Sequence, residues 1–191
     1  MDARDWQEPL LVTDDGVRDA GVADTVAAEI PGTVDIFDEI TPNPSRETVR
    51  RLAAVASRMD VVVAVGGGSV MDAAKAATAL PAFEDVSERP TAAFEQLLEW
   101  PVEEPAPEDG AAIPLVLVPT TAGTGSETGH WAVISDHDRA EKLSVGHPTV
   151  GAEFAVLDPE LTTSLPPSVT ATSGFDVIAH AVEAMVATGD S

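Results

Sequence analysis

The sequence predicts an α/β fold built on a doubly wound, mostly parallel sheet, and three observations carry that reading. Apolar strand-like runs alternate with helical patterns from Leu10 onward. Val61, Val62, Val63 and Val65 form a nearly unbroken β-branched run, as expected of a strand covered on both faces. That run then passes through Gly66, Gly67 and Gly68 into an amphipathic helical stretch. Such an order implies βαβ units, with ligands held at the carboxyl ends of the strands.

The first strand is Leu10, Leu11 and Val12, ending at Thr13 and Asp14. A helical pattern follows through Val17, Ala20, Val22, Val26 and Ala27, and then Val34, Ile36 and Phe37 read as a second strand. Pro42, Asn43 and Pro44 mark a turn, after which Ser45 caps a helix carrying Val49, Leu52, Ala53 and Ala56. The helix after the glycines is expected to begin at Ser69. Ser69 and Asp72 have the spacing of a capping box, and Val70, Ala73, Ala74, Ala77 and Leu80 share one face.

Residues 81–112 are rich in proline and acid and read as a surface excursion with one short helix, Thr91 to Trp100. Ile113 to Val118 is the next buried strand, leading into the small, hydroxylated loop Pro119 to Glu127. Ala132 to Ile134 and Leu143 to Val145 suggest a hairpin with Asp136, His137 and Asp138 near its tip. Ala155, Val156 and Leu157 give a last strand, and the chain turns helical from about Ser168 to Val186.

Composition narrows the function. Hydrophobic residues at 44% with charged residues at 23% fit a soluble globular chain rather than a disordered one. No apolar run approaches the roughly 20 residues that span a bilayer, and the first residues have no signal-peptide pattern, so a cytoplasmic protein with no membrane partner is expected. Thirty-three acidic residues against ten basic ones give a net charge of −23. Such a surface repels nucleic acid, which is bound through basic residues, and it resembles the proteome style of a salt-in halophile. The absence of cysteine excludes disulfides, thiolate metal sites and cysteine nucleophiles.

Three strand ends carry residues suited to a ligand: Asp14, the Gly66 to Ser69 turn and the Thr120 to Ser126 loop. At Gly66, Gly67 and Gly68 the missing Cβ atoms permit positive φ and close approach to the backbone, and the following helix start attracts a pyrophosphate. A plain strand-to-helix turn uses the same residues. Asp14 has the chemistry to accept from ribose hydroxyls and to repel a 2′-phosphate, and equally to cap the following turn. On the last helix Asp176 and His180 stand at i, i+4, where they offer two ligands to a divalent metal or form an ordinary helix pair. His130, His137 and His147 are scattered.

Taken together, LLVTD from Leu10, PNP from Pro42, GGGSVMDAAKA from Gly66, PTTAGTGSE from Pro119, EKLSV from Glu141, LDPEL from Leu157 and LPPSVTATSGFDVIAHAVEA from Leu165 strongly resemble the iron-containing (group III) alcohol dehydrogenase family. The resemblance implies a Rossmann-like domain over residues 1–165 and, over residues 166–191, the first helix of a truncated, all-helical metal-binding domain. It implies hydride transfer between NAD, less readily NADP, and a small alcohol, aldehyde or ketone, assisted by Fe2+ or alternatively Zn2+. Asp14 would contact the adenosine ribose and Gly67, Gly68 and Ser69 the pyrophosphate. Thr120, Thr121, Thr124 and Lys142 would lie along the cofactor, Asp72 near the nicotinamide and substrate as the catalytic candidate, and Asp176 and His180 on the metal.

Two departures stand out. Thr128, Gly129 and His130 occupy positions that usually read V-T-R. The family's opening strand and helix, and its later helices with two further histidines, have no counterpart here. The expected partner is therefore a second copy or a separate helical half, with a catalytically incomplete nucleotide-binding fragment as the alternative.

Overall fold

The computed structural model describes residues 6–83, 90–107 and 112–188. Five strands, β1 (Pro9–Val12), β2 (Asp35–Phe37), β3 (Val61–Gly66), β4 (Leu115–Pro119) and β7 (Phe154–Ala155), form one sheet in the order β2-β1-β3-β4-β7. Every pairing is parallel. The order reverses between β1 and β3, which makes their carboxyl ends the switch point where a doubly wound sheet opens a crevice.

Strand periodicity divides the core in two. Leu10, Val12, Val62, Ala64, Leu115 and Leu117 face a cluster with α3 (Arg46–Ala56), α4 (Gly68–Ala79) and α5 (Pro90–Glu99). Leu11, Val63, Val65 and Val118 face a smaller cluster with α1 (Asp15–Asp19) and α2 (Val22–Ala27). Leu10, Leu11, Leu115 and Leu117 are fully buried, and cutting such a leucine to alanine typically costs about 2–5 kcal/mol.

Several expectations are corrected. The pattern after β1 is two short helices, not one, because Gly21 takes φ 74° and breaks the backbone between them. α4 starts at Gly68 with Gly67 as its cap, so Ser69 is no cap and the capping box with Asp72 is not formed. Nor does α4 bury a single face: Val70, Met71 and every residue from Ala73 to Ala79 are buried, because α3 and the hairpin strand β5 (Trp131–Asp136) pack on the side away from the sheet. Alanines along α4 allow that close approach on both sides.

The proline-rich excursion is also more integrated than expected. Within α5, Ala93, Phe94 and Leu97 are buried, and Trp100 Nε1 donates to Pro105 O at 3.0 Å. Part of that stretch, residues 84–89 and 108–111, lies outside the described residues. The hairpin forms as expected, β5 pairing antiparallel with β6 (Glu141–Gly146) as a separate two-stranded sheet. Finally α6 (Pro167–Val186) has no buried residue along its whole length. Among the described residues no helix is long and apolar enough to cross a membrane.

Candidate functional site

A cleft of about 500 Å³ opens at the carboxyl ends of β1, β3 and β4, at the switch point. Asp14, Gly67, Gly68, Ser69, Thr120 and Thr121 line it on the sheet side, Thr41 and Pro42 close one end, and Leu165, Pro166 and Val169 at the start of α6 form the facing wall. Thr13 holds the strand ends together: its hydroxyl donates to Val65 O at 2.9 Å and its amide to Phe37 O at 2.9 Å.

Asp14 is the N-cap of α1, its Oδ1 accepting from Val17 N at 2.9 Å. That satisfies one carboxylate oxygen locally. The glycine turn uses space rather than positive φ, correcting the sequence expectation: Gly67 sits at φ −82°, and none of the three glycines is left-handed. A Cβ on Gly66 would lie 2.6 Å from Val70 Cγ2, one on Gly68 3.0 Å from Thr124 Cγ2, and one on Gly67 3.3 Å from Thr121 Cγ2. Gly67 brings no side-chain cap to the first turn of α4, which leaves Gly68 and Ser69, both in the cleft lining, at the positive end of the helix; the Val70 amide already donates to Gly67 O at 3.1 Å. Ser69 Oγ accepts from Asn43 N at 3.2 Å, tying the PNP turn to the same helix start.

The loop after β4 overhangs this turn. Thr120 N donates to Gly66 O at 3.0 Å, and Thr124 Oγ1 accepts from Ser126 N at 3.3 Å. Thr121 Oγ1 is buried and has no hydrogen-bond partner. A hydroxyl in that state beside a cap without a side chain is what a phosphate or ribose oxygen would satisfy, so these residues fit a dinucleotide.

Asp72 lies deeper, on the first turns of α4 and outside the cleft lining. Its Oδ1 accepts from Ser126 Oγ at 2.6 Å and its Oδ2 from Val133 N at 2.9 Å, and Lys75 Nζ stands 3.4 Å from Oδ1. Lys142 is exposed on β6 opposite Ser135 and does not line the cleft. Asp176 and His180 are neighbours on α6, Oδ1 to Nε2 3.8 Å apart and both partly exposed. Among the described residues no group of three or more potential ligands comes together. Two donors make only part of a divalent site, so Asp176 and His180 could hold a metal only together with further ligands.

Sequence reading missed Lys75. Its side chain is fully buried, and burial pulls its pKa below the usual lysine value against the opposing charges of Asp72 and Glu127. The available signal was a lone lysine inside an alanine run, three residues after Asp72. Arg46 and Asp136 were missed as a pair: Arg46 donates to Asp136 Oδ2 at 2.9 Å, also pairs with Glu95, and lies over the Phe94 ring. The hydrogen bond from Arg46 is the main cause that holds the Asp136 carboxyl below its usual range.

Fold and cleft define a doubly wound α/β domain with its ligand crevice at the switch point, the class to which dinucleotide-binding domains belong. Residues 1–159 match the iron-containing alcohol dehydrogenase family, and the chain belongs to it. It is 40% identical over 180 residues to choline dehydrogenase of Bacillus subtilis (strain 168), covering 91% of this chain and 42% of that one. It is also 40% identical over 186 residues to 4-hydroxybutyrate dehydrogenase of Cupriavidus necator, covering 95% and 46%. Sulfoacetaldehyde reductase from Bifidobacterium kashiwanohense, solved in complex with NAD+, superposes with a TM-score of 0.79 at 29% identity, over 97% of this chain and 47% of that one. An alcohol dehydrogenase of an archaeal halo-thermophile from a Red Sea brine pool superposes with a TM-score of 0.82 at 29% identity, again over 97% and 47%. The chain thus spans less than half the length of each of these proteins.

Proposed function

We propose that this chain is the nucleotide-binding part of an NAD-dependent dehydrogenase acting on the CH–OH group of a small alcohol, or in reverse on an aldehyde or ketone. The observation that carries the reading is the partnerless, buried Thr121 hydroxyl beside the Gly67 cap, in a cleft at the switch point. Bound there, the nicotinamide would supply the hydride acceptor or donor. The chain's own part is placement. Gly67, Gly68 and Ser69 receive the pyrophosphate at the start of α4, Thr120, Thr121 and Thr124 run along the dinucleotide, and Asp14 takes the adenosine ribose and disfavours a 2′-phosphate. Roles for Lys142 beside the cofactor and for Asp72 near the nicotinamide and substrate rest on family resemblance alone, since neither lines the cleft. For Asp72 the bonds to Ser126 and Val133 add a means of shaping the loop.

Asp176 and His180 are proposed as part of a metal set, iron by family and zinc as the alternative, with residues 1–165 as the nucleotide domain and 166–191 opening a helical one. A second reading is a catalytically incomplete fragment or one subunit of a split enzyme, favoured by the wholly unburied α6 and by the lone ligand pair. The charge of −23 suits a salt-rich cytoplasm and argues against nucleic acid as a partner. The test is NADH binding followed by nucleotide fluorescence, for wild type, Thr121→Val and Gly67→Ala. Binding by wild type that both substitutions weaken supports the reading. No binding by wild type, or equal binding by all three, overturns it.

A further inference from the structure

Lys75 is 0% exposed, and its ammonium is surrounded by main-chain oxygens. Nζ donates to Ser126 O at 2.8 Å, to Gly129 O at 3.4 Å and to Trp131 O. An ammonium has three protons, so the three carbonyls use all of them. The Asp72 carboxylate, 3.4 Å away, balances the charge while itself accepting from Ser126 Oγ and Val133 N. One turn of α4 therefore grips residues 126–133 through both a cation and an anion. At its other end the loop is fixed where Thr120 N donates to Gly66 O. Thr121 and Thr124 hang over the glycine turn between these two anchors.

We infer that Lys75 is a positioning residue of the nucleotide loop: its ammonium acts as a built-in cation whose carbonyl acceptors fix residues 126–131 and thereby hold Thr121 over the glycine turn. The inference rests on the nucleotide reading of the cleft. Three carbonyls converging beside a carboxylate are the donor set of a monovalent cation site, and Lys75 fills it with a tethered charge. Without that charge the same oxygens repel one another and lose their partners, so the loop should open even though α4 remains packed.

The test uses the full chain at about 1 M chloride, where screening extends only ~3 Å and the identity of the cation is separated from ionic strength. In tetramethylammonium chloride, Lys75→Ala should bind NADH about tenfold or more weakly than wild type. Replacing that salt with methylammonium chloride at equal concentration should restore most of the loss, because methylammonium fits the vacated site and tetramethylammonium does not. Lys75→Met, which keeps most of the apolar stem but brings no charge, should be as weak, with faster amide hydrogen exchange from Ser126 to Val133. If Lys75→Ala does not fold, Lys75→Met carries the test. NADH binding and exchange unchanged in Lys75→Met would overturn the inference, as would equal binding by Lys75→Ala in the two salts. Failure of wild type to bind NADH would instead overturn the nucleotide reading, and the exchange measurement would still decide whether Lys75 holds the loop.

Discussion

Gly123 lies against the main chain of Ser173, so closely that a Cβ on Gly123 would stand 2.5 Å from Ser173 O. The loop that follows β4 and the helix that carries Asp176 thus meet backbone to backbone, and only glycine leaves room. Gly123→Ala should displace one of them, at the cost of about 1–3 kcal/mol usual for overpacking. Gly129→Ala is the control, because its nearest neighbour would be Trp131 N at 4.0 Å. Urea midpoints of the two variants should differ. A Gly123→Ala midpoint equal to that of wild type would mean that α6 moves freely against the loop.

Asp14 predicts a preference for NADH over NADPH. Its carboxylate lines the cleft, and Arg18, the first cation after it in sequence, is paired with Asp38. Since Asp14 also caps α1, two substitutions are needed to separate charge from cap. Asp14→Asn keeps a capping oxygen and removes the charge, while Asp14→Gly costs only a few tenths of a kcal/mol as a cap replacement. Both should narrow the preference, read by titrating the two reduced cofactors. Equal wild-type affinities would remove Asp14 from the ribose site.

What the sequence made legible is local. Buried parallel strands read as apolar runs, Ser45 stands at the N-cap of α3 accepting from Thr48 N, and the hairpin tip falls between Asp136 and Glu141. Periodicity fails where two elements press on one helix: α4 looks amphipathic in sequence because its alanines are neutral in any pattern, yet it is buried all round. The glycine turn reads as a ligand turn, but only the crowding of Gly66 against Val70 is local; that of Gly67 and Gly68 comes from Thr121 and Thr124, more than fifty residues away. Lys75 to Ser126 and Gly123 to Ser173 span similar separations and leave no spacing to read.

Asp136 sets a pH dependence. Its carboxyl is held below the ordinary value chiefly by the Arg46 hydrogen bond and also by the amides of Asp138 and Arg139. A carboxyl depressed in the folded state contributes stability that is complete above its unfolded value, near 3.9, and is lost as pH falls through the lower folded value. Asp136→Asn should therefore be less stable than wild type at neutral pH, and the gap should shrink in acid. Denaturant midpoints of both proteins across that range check this. A gap that stays constant or widens in acid would show that the pair does not titrate with folding.

Net charge makes stability depend on salt. At −23, with acidic residues outnumbering basic ones by more than three to one, repulsion within the compact state exceeds what isolated surface pairs recover. The melting temperature should rise from low salt to about 1 M KCl, where the Debye length has shrunk to ~3 Å. A flat or falling curve would count against the proposed adaptation to high salt.

Asp176 and His180 predict that this chain binds divalent metal weakly. Their contact at 3.8 Å on successive turns of α6 would present two donors on one side of an ion, and no third histidine or carboxylate joins them among the described residues. Protein sites that retain a catalytic divalent ion generally supply about three or four ligands. Calorimetric titration with zinc or iron(II) should therefore give dissociation constants well above about 1 µM, and His180→Ala should remove what binding there is. Nucleotide binding is expected to be separate, because the cleft is lined by neither residue. Chelator-treated protein should thus bind NADH as well as untreated protein does. Submicromolar metal affinity in this chain would require ligands from a second copy, and dilution through the dimer range would then weaken it.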